Sequence, residues 1–207
     1  MTVDKKWQAL IDLEAEPVDP LADCVPYVFK GDRVRVVVGI DPGKSGGAVA
    51  LGLDGKAIEW IAADHPSEGY TVKGKSGGHY VPSAMALWLY DLGQAYDVIS
   101  VVLEQQQARP MEGRSSIFTT GMGYGVWVGI LAALRLRYTI AKPSVWTRAV
   151  FGSKPKGAEK KARSVTTAAA RVPDLPLTWG RKTKPHDGLS DAACLALYGL
   201  GLLPRQA

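Results

Sequence analysis

The sequence predicts an α/β domain: a mixed sheet with helices on its faces. Three observations lead there. Val34, Val36, Val37, Val38 and Ile40, and later the run VISVVLE (98–104), are β-branched stretches of the kind found in strands buried on both sides. Asp54-Gly55 separates two short apolar stretches, the strongest short hairpin signal, so the chain begins as an antiparallel meander. The later strands are joined through segments long enough for helices, which predicts parallel pairing after the third strand. The length of 207 residues suits one such domain and hardly two.

Residues 1–32 are acidic, contain Pro17, Pro20 and Pro26, and are expected to form an extension with a short helix around Lys6–Leu13; the folded domain is expected over 33–207. Strands are predicted at 34–40, 48–53 and 57–63, with the composition of DPGKSGG (41–47) marking a turn. Residues 64–81, rich in Gly, Ser and Lys, read as a long loop, and an ordered domain seldom keeps one without a use for it. A helix follows at 82–96, with Pro82 suited to its first turn. Then come a strand at 98–104, a helix at 115–135 despite Gly121, Gly123, Gly125 and Gly129, and a strand at 138–141. Helices at 144–150, 159–172 and 187–203 complete the chain, the last two separated by a polar, basic connection. The predicted order is β-β-β-α-β-α-β-α-α-α, with five strands.

Composition narrows the function. Apolar residues make up 46% and charged residues 22%, which excludes wholesale disorder. No unbroken run of 18 apolar residues occurs, so no membrane span is expected. The N-terminal residues lack the basic-then-apolar order of a targeting peptide. Cys24 and Cys194 cannot make a disulfide framework or a zinc site unaided, which fits a reducing, cytoplasmic setting, and Cys194 reads as a core residue. Residues 135–184 hold thirteen Lys/Arg and two acids, a local net of +11, which leaves −6 for the rest of a chain whose net charge is +5. A basic half beside an acidic half fits a polyanion partner, with acids reserved for another purpose; a lysine-rich solvated face is the plain alternative.

Four acids stand out by position. Asp41 ends the first buried strand and Glu104 the second. Asp187 and Asp191 lie four apart at the start of the last helix, so they share a face. An acid at the tip of an apolar strand is desolvated on one side, and a hard divalent cation such as Mg²⁺ relieves both that cost and the repulsion among converging carboxylates. Each acid also has an ordinary reading: Asp41 as a turn starter, Glu104 as a strand-end acid, Asp187 as a helix N-terminal acid. Other chemistries fit less well. Gly43-Lys44-Ser45 resembles the end of a phosphate loop, but Val38 stands where a glycine is needed and Pro42 removes a backbone donor. Asp41-Pro42-Gly43 also fits the first loop of actin-like phosphotransferases, a fold that needs a second nucleotide-binding half. With three histidines and no G-x-S-x-G, a nucleophile triad has little support.

Taken in order, these segments resemble the RuvC-type Holliday junction resolvases. VVVGIDPGKSGGAVAL (36–51) resembles their first motif and VVLEQQQ (101–107) their second. MEGRSSIFTTGMGYGVWVGILAAL (111–134) is similar to the helix that follows. KPSVWTRAVFGSKPKGAEKKARSVTTAAARVP (142–173) resembles the basic stretch, and HDGLSDAACLALYGL (186–200) the closing acidic helix. Bacterial members space the last two acids three apart; the wording here is closer to phage-encoded and organelle-type members. Those bacterial members also carry an aromatic residue where this chain has Gln107, with Phe118 or Met111 as nearby substitutes.

The resemblance implies an RNase H-like fold, a homodimer, and a crossover junction endodeoxyribonuclease in which each subunit cuts one of two opposed strands of a four-way DNA junction. It implies that Asp41, Glu104, Asp187 and Asp191 hold two Mg²⁺ ions, with Mn²⁺ able to substitute. No nucleotide cofactor is expected. Lys160, or Lys161, would approach the scissile phosphate, with DNA-backbone binding the preferred reading for Lys161. Lys73, Lys75, Arg109, Arg114, Phe118, Lys142, Arg148, Lys154 and Lys156 are further candidate DNA contacts. The glycine-bearing helix is the candidate dimer interface, with packing onto its own sheet as the alternative. A broader branched-DNA or flap nuclease and a non-catalytic junction-binding module are the rival readings.

Overall fold

The computed structural model describes residues 33–67, 69–74, 77–107 and 113–203. The expected N-terminal extension, and with it Cys24, lies outside the described residues, as do Lys75, Arg109 and Met111.

Among the described residues, seven strands and five helices follow one another. They are β1 (Arg35–Asp41), β2 (Gly47–Gly52), β3 (Ala57–Ala62), β4 (Thr71–Gly74), β5 (Gly77–Tyr80), α1 (Pro82–Ala95), β6 (Asp97–Glu104), α2 (Arg114–Ala133), β7 (Tyr138–Ala141), α3 (Pro143–Phe151), α4 (Gly157–Arg171) and α5 (Asp187–Leu202). Five strands form one mixed sheet in the order β3-β2-β1-β6-β7. The meander β1–β2–β3 is antiparallel, while β6 lies parallel to both β1 and β7. The two β-branched runs are therefore the two central strands, where burial on both faces favours such residues. The Asp54-Gly55 hairpin forms as its residues dictate: Gly55 takes φ +82°, and the Asp54 carboxylate accepts the Lys56 N–H at 3.1 Å.

Alternation along the strands builds two cores. Val36, Val38 and Ile40 of β1 pack with Met85 and Leu89 of α1 and Trp127 and Leu131 of α2. The opposite face gathers Val49, Leu51, Ala168, Leu189, Ala192 and Ala196 from β2, α4 and α5. A third group, Val102, Ala141, Trp146, Cys194 and Leu195, joins α3 and α5 to β6 and β7. Cys194 is a core residue, its thiol pushed up to about 12 by burial and by Asp191.

Helix ends lie within two residues of their predicted positions, and Pro82 and Pro143 each stand in a first helical turn. The segment 64–81 differs from expectation. It is not a plain loop but contains an antiparallel hairpin, β4–β5, in which Thr71 pairs with Tyr80 and Gly74 with Gly77. The two strands are only four residues long and share three glycines, which interrupt the β-forming Thr71, Val72 and Tyr80, so no strand pattern stands out in the sequence. The hairpin is held at its base: the Tyr70 and Tyr80 rings stack 6.3 Å apart, with Tyr70 edge-on to Trp127.

α2 has the length and mean hydropathy, 1.3, of a membrane-crossing helix, although its apolar run is broken by Ser, Thr and Gly. Its buried residues are Gly123, Trp127 and Leu131, one stripe turned onto the sheet.

Candidate metal centre

The site grows out of strand register. Ile40 of β1 is paired with Leu103 of β6, so the next residues, Asp41 and Glu104, emerge side by side at the same end of two parallel strands. α5 crosses the same sheet face and contributes Asp191. Gly39 lets it come that close: a Cβ there would run into the Ala192 carbonyl and the Ala196 amide. Asp41, Glu104 and Asp191 each offer a carboxylate oxygen, all within 4.8 Å of one another. Glu104 is 6% and Asp191 9% exposed.

Each acid is held from outside the cluster. The Gly43 N–H donates to Asp41 Oδ1 at 3.1 Å, so Asp41 starts its turn and joins the cluster at once. Tyr80 donates to the Pro42 carbonyl at 3.2 Å, fixing that turn from the β4–β5 hairpin. Tyr80's hydroxyl is pushed up to about 12 by burial and the Asp41 charge. The buried Trp146 indole donates to Glu104 Oε1 at 3.0 Å, and Gln106 Nε2 lies 3.3 Å from Oε2. Lys160 bridges Glu104 Oε1 at 3.1 Å and Asp191 Oδ2 at 2.9 Å.

Electrostatics here are strong. Burial, then the charges of Glu104 and Asp191, hold the Asp41 carboxyl well above its ordinary range, against the Gly43 N–H and Lys160, which act the other way. Burial alone lowers the Lys160 ammonium, but Glu104 and Asp191 outweigh it and raise it. Asp191 Oδ1 is buried without a hydrogen-bond partner. Three converging carboxylates, one with an unpartnered buried oxygen, fit a hard divalent cation, and this group could hold a metal ion.

Asp187 does not join the three. It sits in the first turn of α5, its side chain 47% exposed, and pairs with Lys161 at 2.7 Å. Lys160 and Lys161, adjacent on α4, thus take different acids: Lys160 the buried Glu104 and Asp191, Lys161 the half-exposed Asp187. His186, at the N-cap of α5, accepts the Leu189 N–H on Nδ1 at 2.9 Å, and its Nε2 lies 3.0 Å from Asp64 Oδ1. Asp64 also holds Lys182 at 2.6 Å. His186 rests on Trp179, which stacks with Trp60. This clasp anchors the start of α5.

The remaining candidates divide. Lys142 follows Ala141, the β7 partner of Glu104, and stands at the N-cap of α3. Lys142, Arg148, Lys154 and Lys156 are exposed on α3 and the connection to α4. Arg114 is exposed at the start of α2, and Phe118 on the same helix is 73% exposed. The backbone of Lys73 lies in β4. Trp146, Tyr80, Gln106 and Asp64 are site-supporting residues that sequence reading did not single out, and His186 stands out there only as the residue before the last two acids. Trp146 had a faint signal: it is the large apolar residue of a short amphipathic helix, and a buried indole needs an acceptor.

Known structures with this architecture include T. thermophilus RuvC in complex with a Holliday junction substrate, with a TM-score of 0.53 and 15% identity over 79% of this chain and 91% of that one. The yeast mitochondrial Holliday junction resolvase Ydc2 gives a TM-score of 0.50 and 15% identity over 86% of this chain and 80% of that one. The chain has the RNase H-like fold of RuvC-type resolvases. No protein-family model matches it, and no curated protein matches it by sequence. In this RuvC-type fold the three acids stand at the edge where β1 and β6 end.

Proposed function

We propose that the protein is a metal-dependent, structure-specific endonuclease that resolves four-way DNA junctions, acting as a homodimer. The observation that carries this reading is the Asp41–Glu104–Asp191 cluster with Lys160 set into it, on a fold shared with junction resolvases. Asp41, Glu104 and Asp191 would hold Mg²⁺ or Mn²⁺, and Asp187, released from Lys161, would serve as a fourth acid for a second ion. A metal held there would supply activation of a water and stabilisation of the leaving 3′ oxygen in phosphodiester hydrolysis. The protein's own part is to orient and to attract. Trp146 and Gln106 aim Glu104, Gly43 aims Asp41, and the packing over Gly39 sets the depth of Asp191. Lys160 would meet a phosphate approaching the cluster. Arg114, Lys142, Arg148, Lys154, Lys156 and Lys161, with Lys73, Lys75 and Arg109, would hold the junction arms through phosphates. Phe118, exposed on α2, is a candidate for stacking at the junction centre.

The same helix supports the dimer. Added Cβ atoms at Gly121, Gly125 and Gly129 would meet nothing within 4 Å, while one at Gly123 would run into the Tyr80 hydroxyl. Gly123 therefore serves packing within the protomer, and the other three line an open face that a partner helix can approach.

The test is cleavage of a labelled four-way junction with Mg²⁺, beside linear duplex, a flap and Asp41→Asn protein. Paired symmetric nicks on the junction alone, lost in the variant, are expected. Equal cutting of flaps identifies a broader branched-DNA nuclease. Tight junction binding without cutting in either metal identifies a non-catalytic module.

A further inference from the structure

The acid cluster already has a cation in it. Lys160 Nζ lies 3.1 Å from Glu104 Oε1 and 2.9 Å from Asp191 Oδ2, and 4.8 Å above the centre of the Trp146 ring. The Trp146 indole donates to the same Glu104 Oε1, so one buried side chain supports both members of the Lys160–Glu104 pair. Lys160 is only 22% exposed at its side chain, unlike Lys161 at 64%. Two of the three carboxylates that would hold a divalent cation, Glu104 and Asp191, are thus the carboxylates that dock this ammonium. Two cations drawn to one small group of carboxylates repel each other, and at reduced dielectric that repulsion is large.

We propose that Lys160 is a built-in counter-cation that occupies the acid cluster in the metal-free protein and has to leave it when a divalent metal binds. The proposal rests on reading the cluster as a metal centre. It gives Lys160 two successive partners. Without metal it offsets the repulsion among three carboxylates whose desolvation would otherwise destabilise the fold. With metal it swings out on its flexible stem, which frees its ammonium for a DNA phosphate. Loading the site and presenting a cation to the substrate become one event. An ion pair of purely structural importance would stay docked in both states.

Two measurements on DNA-free protein test this. The first is Mn²⁺ titration by calorimetry at about pH 8, where ordinary carboxylates are ionised. Lys160→Met is expected to bind Mn²⁺ about tenfold more tightly than wild type, because charge-assisted hydrogen bonds no longer have to be broken. Lys56→Met, which removes a cation from the exposed Asp54 pair, controls for net charge and should leave the affinity unchanged. The second needs no variant: amine labelling of Lys160 in wild type, read by mass spectrometry, should increase when Mn²⁺ is added. Unchanged or weaker Mn²⁺ binding in Lys160→Met, or Lys160 labelling that is unchanged or reduced by Mn²⁺, overturns the proposal. If wild type shows no saturable binding that Asp41→Asn abolishes, the metal centre itself is lost and the proposal with it. Binding that Asp41→Asn abolishes but Lys160→Met does not tighten leaves the metal centre standing and removes only the counter-cation.

Discussion

Asp41 shows how the fold can hold a single residue against its ordinary ionisation. Burial first, and then Glu104 and Asp191, raise its carboxyl well above the ordinary value of 3.8. The folded protein thus keeps this proton over a pH range in which the unfolded chain has lost it. The stability Asp41 contributes is complete below its ordinary value and is lost as pH rises through its raised folded value. In metal-free protein Asp41→Asn should therefore gain on wild type as pH rises toward neutrality. A gain of about 1 kcal/mol corresponds to about 2–4 °C in melting temperature for a chain of this size. Saturating Mg²⁺ should erase or reverse the difference, since wild type alone keeps the full ligand set. Melting curves of both proteins from acidic to neutral pH, with and without metal, check this; a gap independent of pH would show that Asp41 is not the titrating strain.

Among the elements, α5 against β1 matters most. Ala192 and Ala196 lie on Gly39 so closely that even one methyl group has no room. Gly39→Ala should cost about 1–3 kcal/mol from overpacking and should weaken metal binding as well, because Asp191 rides on the displaced helix. Gly93→Ala on α1, where the new methyl meets nothing within 4 Å, should instead stabilise by up to about 1 kcal/mol. Thermal melts with Mn²⁺ titrations separate the two. These elements also show what was legible in advance. β1 and β6 were plain in the β-branched runs, and the acids at their tips followed directly. The β4–β5 hairpin was not, because its strands are glycine-rich and its order comes from Tyr70 and Tyr80 packing on distant residues. Asp187 and Asp191 share a helical face as spacing requires, but four residues also separate them by about 6 Å along the axis. Periodicity reports direction and not depth, so it grouped a half-exposed acid with a buried one. The role of Trp146 was hidden for a related reason: no sequence pattern marks which distant acceptor a buried indole finds.

At the scale of the whole molecule, charge and shape divide the labour. Acids converge at one end of the sheet, the basic segment wraps α3, α4 and the connection to α5, and α2 shows its open glycine face elsewhere. Cutting two opposed strands of one junction in concert requires two such sites related by a two-fold axis. An interface along Gly121, Gly125 and Gly129 would let two helix backbones approach closely, and a large charged side chain there would keep them apart. Gly125→Arg points into open space within the protomer, so the fold should keep its melting temperature. In sedimentation the wild type should behave as a dimer and this variant as a monomer. On a junction the variant should leave single nicks in place of paired ones, while each remaining cut still requires Asp41. A variant that stays dimeric and still makes paired nicks would move the interface off α2 and leave its glycines without a role between protomers.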